Sequence, residues 1–141
     1  MKVVVDTNII LNAVYRRSKN HWIRRALEKA QITLCVTTDI LDEYSEVLTS
    51  YYDGETAELF LSALEILPNL QLIHKYYFWQ LIPGDEDDEK FVDCAIAAGA
   101  DYLVTNDRHF NVLKKLPFPQ VNVVNENEFR AIFESVFGTD Q

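Results

Sequence analysis

Cysteine is scarce in this 141-residue chain, where Cys35 and Cys94 are the only two. They are too few and too far apart for a disulfide framework or a four-ligand zinc site. Each reads as a small buried apolar residue in a reducing cytoplasm. No apolar run approaches the roughly 20 residues that span a bilayer, so no membrane association is expected. Asp6 interrupts the short apolar start and no small-residue cleavage site follows it, which argues against a secretory signal. A Gly-x-x-x-x-Gly-Lys loop is missing, and with it P-loop nucleotide hydrolysis. No Ser or Cys sits in a nucleophile elbow, and His21, His74 and His109 share no metal-ligand spacing.

Positive charge is also in the minority, with 13 basic against 22 acidic residues and a net charge of −9. It is concentrated, however: residues 1–30 hold seven basic side chains against two acidic ones, leaving six against twenty for the rest. A uniformly acidic chain binds nucleic acid poorly, because phosphate binding depends on Lys and Arg displacing counterions. A polarised chain can offer a basic edge to phosphates and an acidic cluster to metal ions or to a basic partner. A solvated basic helix explains the first feature equally well.

What is present is 48% hydrophobic residues and 25% charged, the make-up of a globular chain. The opening Lys-Val-Val-Val-Asp6 is a continuous β-branched run, as expected of a strand buried on both faces of a parallel sheet. Thr7 and Asn8 offer caps for a helix carrying Ile9, Ile10, Ala13 and Val14, and a second helix follows from Trp22 to Ala30. Residues 32–36 read as a second strand, and Thr37-Thr38-Asp39 as the cap of a helix through Leu48. A helix is expected over 56–67, a strand over 70–73, an acidic loop over 85–89 and a very apolar helix over 91–100. Strands over 102–105 and 121–124 and a helix over 126–137 complete the chain. This alternation predicts a three-layer α/β/α sandwich around a mostly parallel sheet. Residues 1–137 are expected to form one domain, with 138–141 as a frayed tail.

In open parallel sheets, ligands bind beyond the carboxyl ends of the strands. Asp6 ends the first strand, and Thr105-Asn106-Asp107 ends the strand at 102–105, so both carboxylates belong to one rim. Asp93 is the single polar residue of Phe-Val-Asp-Cys-Ala-Ile-Ala-Ala, where an unpaired carboxylate is costly unless it binds a metal. The alternative is a capping or salt-bridged Asp in the first turn, where the helix dipole would favour it. Among the acids of the helix after strand two, Glu43 lies roughly 100° from the centre of the apolar stripe and the others roughly 140–160° away. Asp6, Glu43, Asp93 and Asp107 can then share one pocket, where like charges require a counter-charge. A hard divalent cation supplies it and can activate water against a phosphodiester.

The same residues carry a resemblance. Val-Val-Val-Asp6-Thr7-Asn8-Ile-Ile-Leu, Thr38-Asp-Ile-Leu-Asp-Glu43, Asp88-Glu-Lys-Phe-Val-Asp93-Cys-Ala-Ile-Ala and Leu-Val-Thr105-Asn106-Asp107 together resemble a PIN domain over about residues 2–125. More narrowly, they are similar to the PIN-family toxins of toxin–antitoxin systems. The resemblance implies a Mg²⁺- or Mn²⁺-dependent ribonuclease with Asp6, Glu43, Asp93 and Asp107 as metal-binding and catalytic residues. It places Asn8 and Thr105 behind them as orienting supports. It further implies a cytoplasmic homodimer held inactive by a cognate antitoxin protein. Asn106 departs from the Gly that many relatives carry there. The acidic stretch 85–88 is similar to a loop of the same subgroup, in which Asp88 reads first as a solvated charge and second as an aid to the metal.

In this reading Arg16, Arg17, Arg24 and Arg25 steer the RNA backbone. The run Tyr76 to Trp79 can stack on bases, cover a dimer interface or pack as a connection. Two other functions stay open. One is a phosphotransferase with Asp6 as nucleophile, although Asn8 stands where such enzymes place a second Asp. The other is a non-catalytic module whose acidic pocket binds a basic protein segment.

Overall fold

The computed structural model describes residues 1–14, 21–74, 77–82 and 84–139. Five short strands, β1 (Lys2–Val5), β2 (Thr33–Val36), β3 (Leu70–Leu72), β4 (Tyr102–Val104) and β5 (Val123–Val124), form one sheet in the order β3-β2-β1-β4-β5. Every neighbouring pair is parallel, with Val3 opposite both Leu34 and Tyr102. Helices α1 (Thr7–Ala13), α2 (His21–Glu28), α3 (Thr38–Tyr51), α4 (Gly54–Glu65), α5 (Glu86–Ala98) and α6 (Glu126–Phe137) cover both sides. The expected α/β/α sandwich is therefore present. The chain builds outward from β1 to β3, then returns to the other side of β1 for β4 and β5. That reversal opens a crevice at the carboxyl ends of β1 and β4.

Burial on both faces explains the continuous apolar strands: Val3, Val4, Val5, Leu34, Cys35, Leu103 and Val104 are fully enclosed. No disulfide joins the two buried cysteines. On one flank Trp22 of α2 packs against Phe129 and Phe133 of α6, with ring centroids 5.4 and 5.2 Å apart. Tyr44 of α3 is wholly buried and donates its hydroxyl proton to the Val5 carbonyl, pinning α3 to the end of β1. No helix among the described residues is long and apolar enough to cross a membrane.

Several local readings are revised. Asp6, rather than Thr7 or Asn8, caps α1, because its short side chain reaches back to the Thr7 N–H at 2.8 Å. The acidic stretch over 85–89 is the start of α5 instead of a loop. Asp85 is its cap and accepts from Asp88 N–H at 3.3 Å, and acids in a first turn suit the helix dipole. Since α5 begins five residues earlier than the apolar pattern indicated, Asp93 lies mid-helix and is not a first-turn cap. The helix closes at Gly99, whose φ of 61° is left-handed. A 3₁₀ helix over Arg108–Lys115 was not expected from periodicity, and β5 holds only two residues of the strand anticipated over 121–124. Residues 140 and 141 of the anticipated tail lie outside the described residues.

Because the Tyr44 hydroxyl ties α3 directly to the β1 main chain, Tyr44→Phe isolates its value. Urea denaturation is expected to show a loss of about 1–2 kcal/mol, the cost of removing one buried donor. A loss below about 0.5 kcal/mol would show that the hydroxyl contributes no more than an exposed one.

Candidate metal centre

The crevice is built around Asp6, which is 7% exposed. Its Oδ1 accepts the Thr7 N–H, and its Oδ2 accepts the Thr105 hydroxyl at 2.7 Å. Thr105 Oγ1 also accepts the Asp107 N–H at 3.0 Å, so one buried hydroxyl positions the acids at the ends of two adjacent strands. Burial pushes the Asp6 carboxyl above its ordinary range; the Thr105 and Thr7 hydrogen bonds oppose this, and the charges of Glu43 and Asp107 add to it. Asn106 turns outward from this pair and its Oδ1 holds the Glu126 N–H at 3.0 Å, seating the start of α6.

Glu43 enters from α3. One oxygen accepts the Thr7 hydroxyl and the other faces Lys90 Nζ of α5 at 2.7 Å, with the Glu43 side chain 21% exposed. Desolvation works against the Lys90 charge, but the Glu43 contact together with the charges of Asp87 and Asp39 outweighs it and leaves the ammonium more firmly protonated than usual.

The opening turn of α5 supplies a second group. The Asp88 side chain is 14% exposed, and its Oδ2 is sealed from solvent with no hydrogen-bond partner among the described residues. Its pKa is pushed up to about 8, first by burial, then by the facing Asp85 carboxyl and the charges of Asp85, Asp107 and Asp6. His109 Nδ1 lies 3.3 Å from Asp107 Oδ1, 3.5 Å from Asp85 Oδ2 and 3.9 Å from Asp88 Oδ2. Ligand atoms of Asp85, Asp88 and His109 all fall within 4.8 Å of one another. Such a set cannot stay fully ionised without added positive charge, and a divalent cation is the compact way to provide it.

Of the residues chosen from the sequence, Asp6, Glu43, Asp107 and Thr105 meet at this crevice. Asp93 lies further along α5. It is 3% exposed, and its Oδ1 accepts the Trp79 N–H at 3.1 Å. At 100° per residue it points roughly 140° around α5 from Asp88, which is the α5 acid that Asp6 and Asp107 act on. Asn8 is exposed, and the supporting hydroxyl comes from its neighbour Thr7.

Arg24 bonds the Val14 carbonyl at 2.9 Å and pairs with Glu28 at 3.2 Å, while Arg16 and Arg17 lie outside the described residues. Of the aromatic run, Tyr76 is outside them too, and the Tyr77 and Trp79 rings lie 4.7 Å apart, tilted by 54°. Sequence reasoning passed over Thr7, Asp85, Lys90 and His109 and gave Asp88 second rank. The usable signal was the Asp85-x-x-Asp88 spacing, which fits an N-cap and the third helical residue.

The raised Asp88 pKa has a pH signature in metal-free protein. A carboxyl whose folded pKa exceeds its unfolded one contributes stability at low pH, and that contribution drains as pH rises from about 4 to about 8. In the presence of a chelator, Tm should therefore fall across this window, and Asp88→Asn should flatten the fall. Equal slopes in the two proteins would show that Asp88 titrates normally.

The PIN domain family matches residues 2–109. The chain is similar in structure to a chain of the crystal structure of VapBC2 from Rickettsia felis bound to a DNA fragment from their promoter. That match has a TM-score of 0.64 at 18% identity and covers 89% of this chain and 98% of that one. None of the curated proteins compared with the chain matches it. With most of its length matched by the family and its acids gathered at the carboxyl rim of the sheet, the chain belongs to the PIN domain family.

Proposed function

We propose that the protein is a divalent-metal-dependent endoribonuclease that hydrolyses RNA phosphodiester bonds, acting as the toxin of a toxin–antitoxin pair. The observation that carries this reading is the buried, unpartnered Asp88 Oδ2 among the charges of Asp85, Asp107 and Asp6. An orphaned carboxyl oxygen in such company is costly for a structural role and suits a cation ligand. The donor set is all hard oxygen at Asp6, Asp88 and Asp107, which fits Mg²⁺ or Mn²⁺. These three residues would hold the ion, with Glu43 beside them. When bound, the ion lowers the pKa of water and stabilises negative charge on a phosphate.

The chain's own residues do the rest. Thr105 and the Thr7 N–H fix both Asp6 oxygens, so the carboxylate cannot turn away from the crevice. Lys90 and Thr7 hold Glu43 in one orientation at the rim, where Lys90 also presents a cation to an approaching phosphate. Asp93 acts indirectly, as a positioning residue that ties the 77–82 segment to α5 through Trp79. Arg24 and Arg25 line a basic cavity of about 500 Å³ with His21 and Glu28 on α2, and support contact with the RNA backbone. The resemblance to PIN-family toxins supports the remaining elements of the proposal: a cognate antitoxin, a homodimer, a single domain over 1–137 and a cytoplasmic setting.

Cleavage of a mixed single-stranded RNA pool with Mn²⁺, Mg²⁺ or EDTA tests the reading. Asp6→Asn and Asp88→Asn should each lower the rate at least about a hundredfold, the scale of losing a charge-stabilising group. Asp93→Asn, which keeps an acceptor for Trp79, should stay within about tenfold of wild type. Undiminished cleavage in both Asp6→Asn and Asp88→Asn would overturn the assignment. Absence of both cleavage and any Mn²⁺-dependent gain in Tm would favour a non-catalytic protein-binding module.

A further inference from the structure

We infer that His109 is a metal ligand, and that with Asp85 and Asp88 it forms a mixed nitrogen–oxygen site that prefers a first-row transition cation to Mg²⁺. The inference rests on the metal-dependent reading above, shares Asp88 with the oxygen donors named there, and deepens that reading by adding a nitrogen donor and with it the kind of cation. The three side chains come from two elements. Asp85 caps α5 and Asp88 sits in its first turn, while His109 belongs to the 3₁₀ helix that follows β4.

His109 is otherwise a surface residue, with its side chain 70% exposed, yet its Nδ1 is turned inward among three carboxylates, 3.3 Å from Asp107 Oδ1, 3.5 Å from Asp85 Oδ2 and 3.9 Å from Asp88 Oδ2. A divalent transition cation holds its ligands at about 2.0–2.2 Å. Neighbouring ligands in such a shell stand about 3 Å apart, so small side-chain rotations close the observed separations around an ion. Asp88 Oδ2 contributes an oxygen that is shut off from water and has no hydrogen-bond partner among the described residues. The backbone also favours this orientation: Asp107 Oδ1 accepts the His109 N–H at 2.9 Å and fixes the base of the imidazole.

The site opens onto a cavity of about 320 Å³ lined by Ile82, Gly84, Asp85, His109 and Val112. At Gly84, φ is +82° and a Cβ would meet nothing within 4 Å, so this wall leaves room for water or a phosphate oxygen to complete the shell. The choice of cation follows from the donors. Mg²⁺ demands a near-octahedral oxygen shell and gains little from imidazole, whereas Mn²⁺, Fe²⁺ and their heavier neighbours accept nitrogen readily.

Mn²⁺ is the probe, because its unpaired spin couples to a directly bound ¹⁴N and pulsed electron paramagnetic resonance reads that coupling. Wild type loaded with one equivalent of Mn²⁺ should show an imidazole ¹⁴N modulation, and His109→Gln should lose it while still binding the ion. In titrations His109→Gln should weaken Mn²⁺ binding about tenfold or more and Mg²⁺ binding by less than about twofold. Mn²⁺ bound by wild type without nitrogen modulation overturns the inference and leaves the nuclease reading standing; His109 is then a counter-charge to the acids instead of a ligand. Modulation that survives in His109→Gln overturns it equally, assigning the nitrogen to another residue. If wild type binds no Mn²⁺ at all, both readings fail together.

Discussion

Thr105 donates to Asp6 and accepts from the backbone of Asp107, and this pair of hydrogen bonds joins the ends of β1 and β4 at the one place where the sheet order reverses. Parallel strands leave their last residues side by side, and a residue just past each strand has no ladder partner to hold its side chain. Here a single buried hydroxyl performs that function for two acids at once. The geometry of the crevice follows from it: Asp6 is locked by both oxygens, and Asp107 is set where it can receive the His109 amide.

The cost of that order is electrostatic. Asp6 and Asp88 both have pKa values above the ordinary carboxyl range, and burial is the largest cause for each. The fold places positive or polar groups at the edges of the cluster rather than in its middle. Lys90 meets Glu43, Thr7 meets Glu43, and His109 reaches Asp85 and Asp107. Asp88 Oδ2 is left without a hydrogen-bond partner among the described residues, at the point where the charges of Asp85, Asp107 and Asp6 add. Stability given up at such a point is the usual mark of a site shaped for a ligand.

Much of the scaffold was legible from residue type alone. Val3 to Val5 and residues 102–104 are short, unbroken apolar runs, which is how strands buried on both faces must look. Asp6 and Asp107 could be assigned to one rim because a residue just past a parallel strand has its position set by that strand. The start of α5 was misread because Asp85, Asp87 and Asp88 resemble a solvated loop by charge, while the same charges favour a helix N-terminus. Asp93 drew attention as a lone carboxylate in an apolar stretch. Its burial is real, and one of its oxygens accepts from the Trp79 main chain, a partner with no sequence signature.

The sequence by itself determined the alternation of buried strands and amphipathic helices, the parallel sheet that follows from it, and two of the acids at its carboxyl edge. These depend on local periodicity and on strand direction, which neighbouring residues encode. Only the tertiary structure decided which α5 acid faces the crevice, that Lys90 neutralises Glu43, and that His109 turns toward Asp85 and Asp88. Those outcomes depend on the rotation of α5 about its own axis and on where the 3₁₀ helix docks. Both are set by packing between segments distant in the chain, and no local pattern records a contact of that kind.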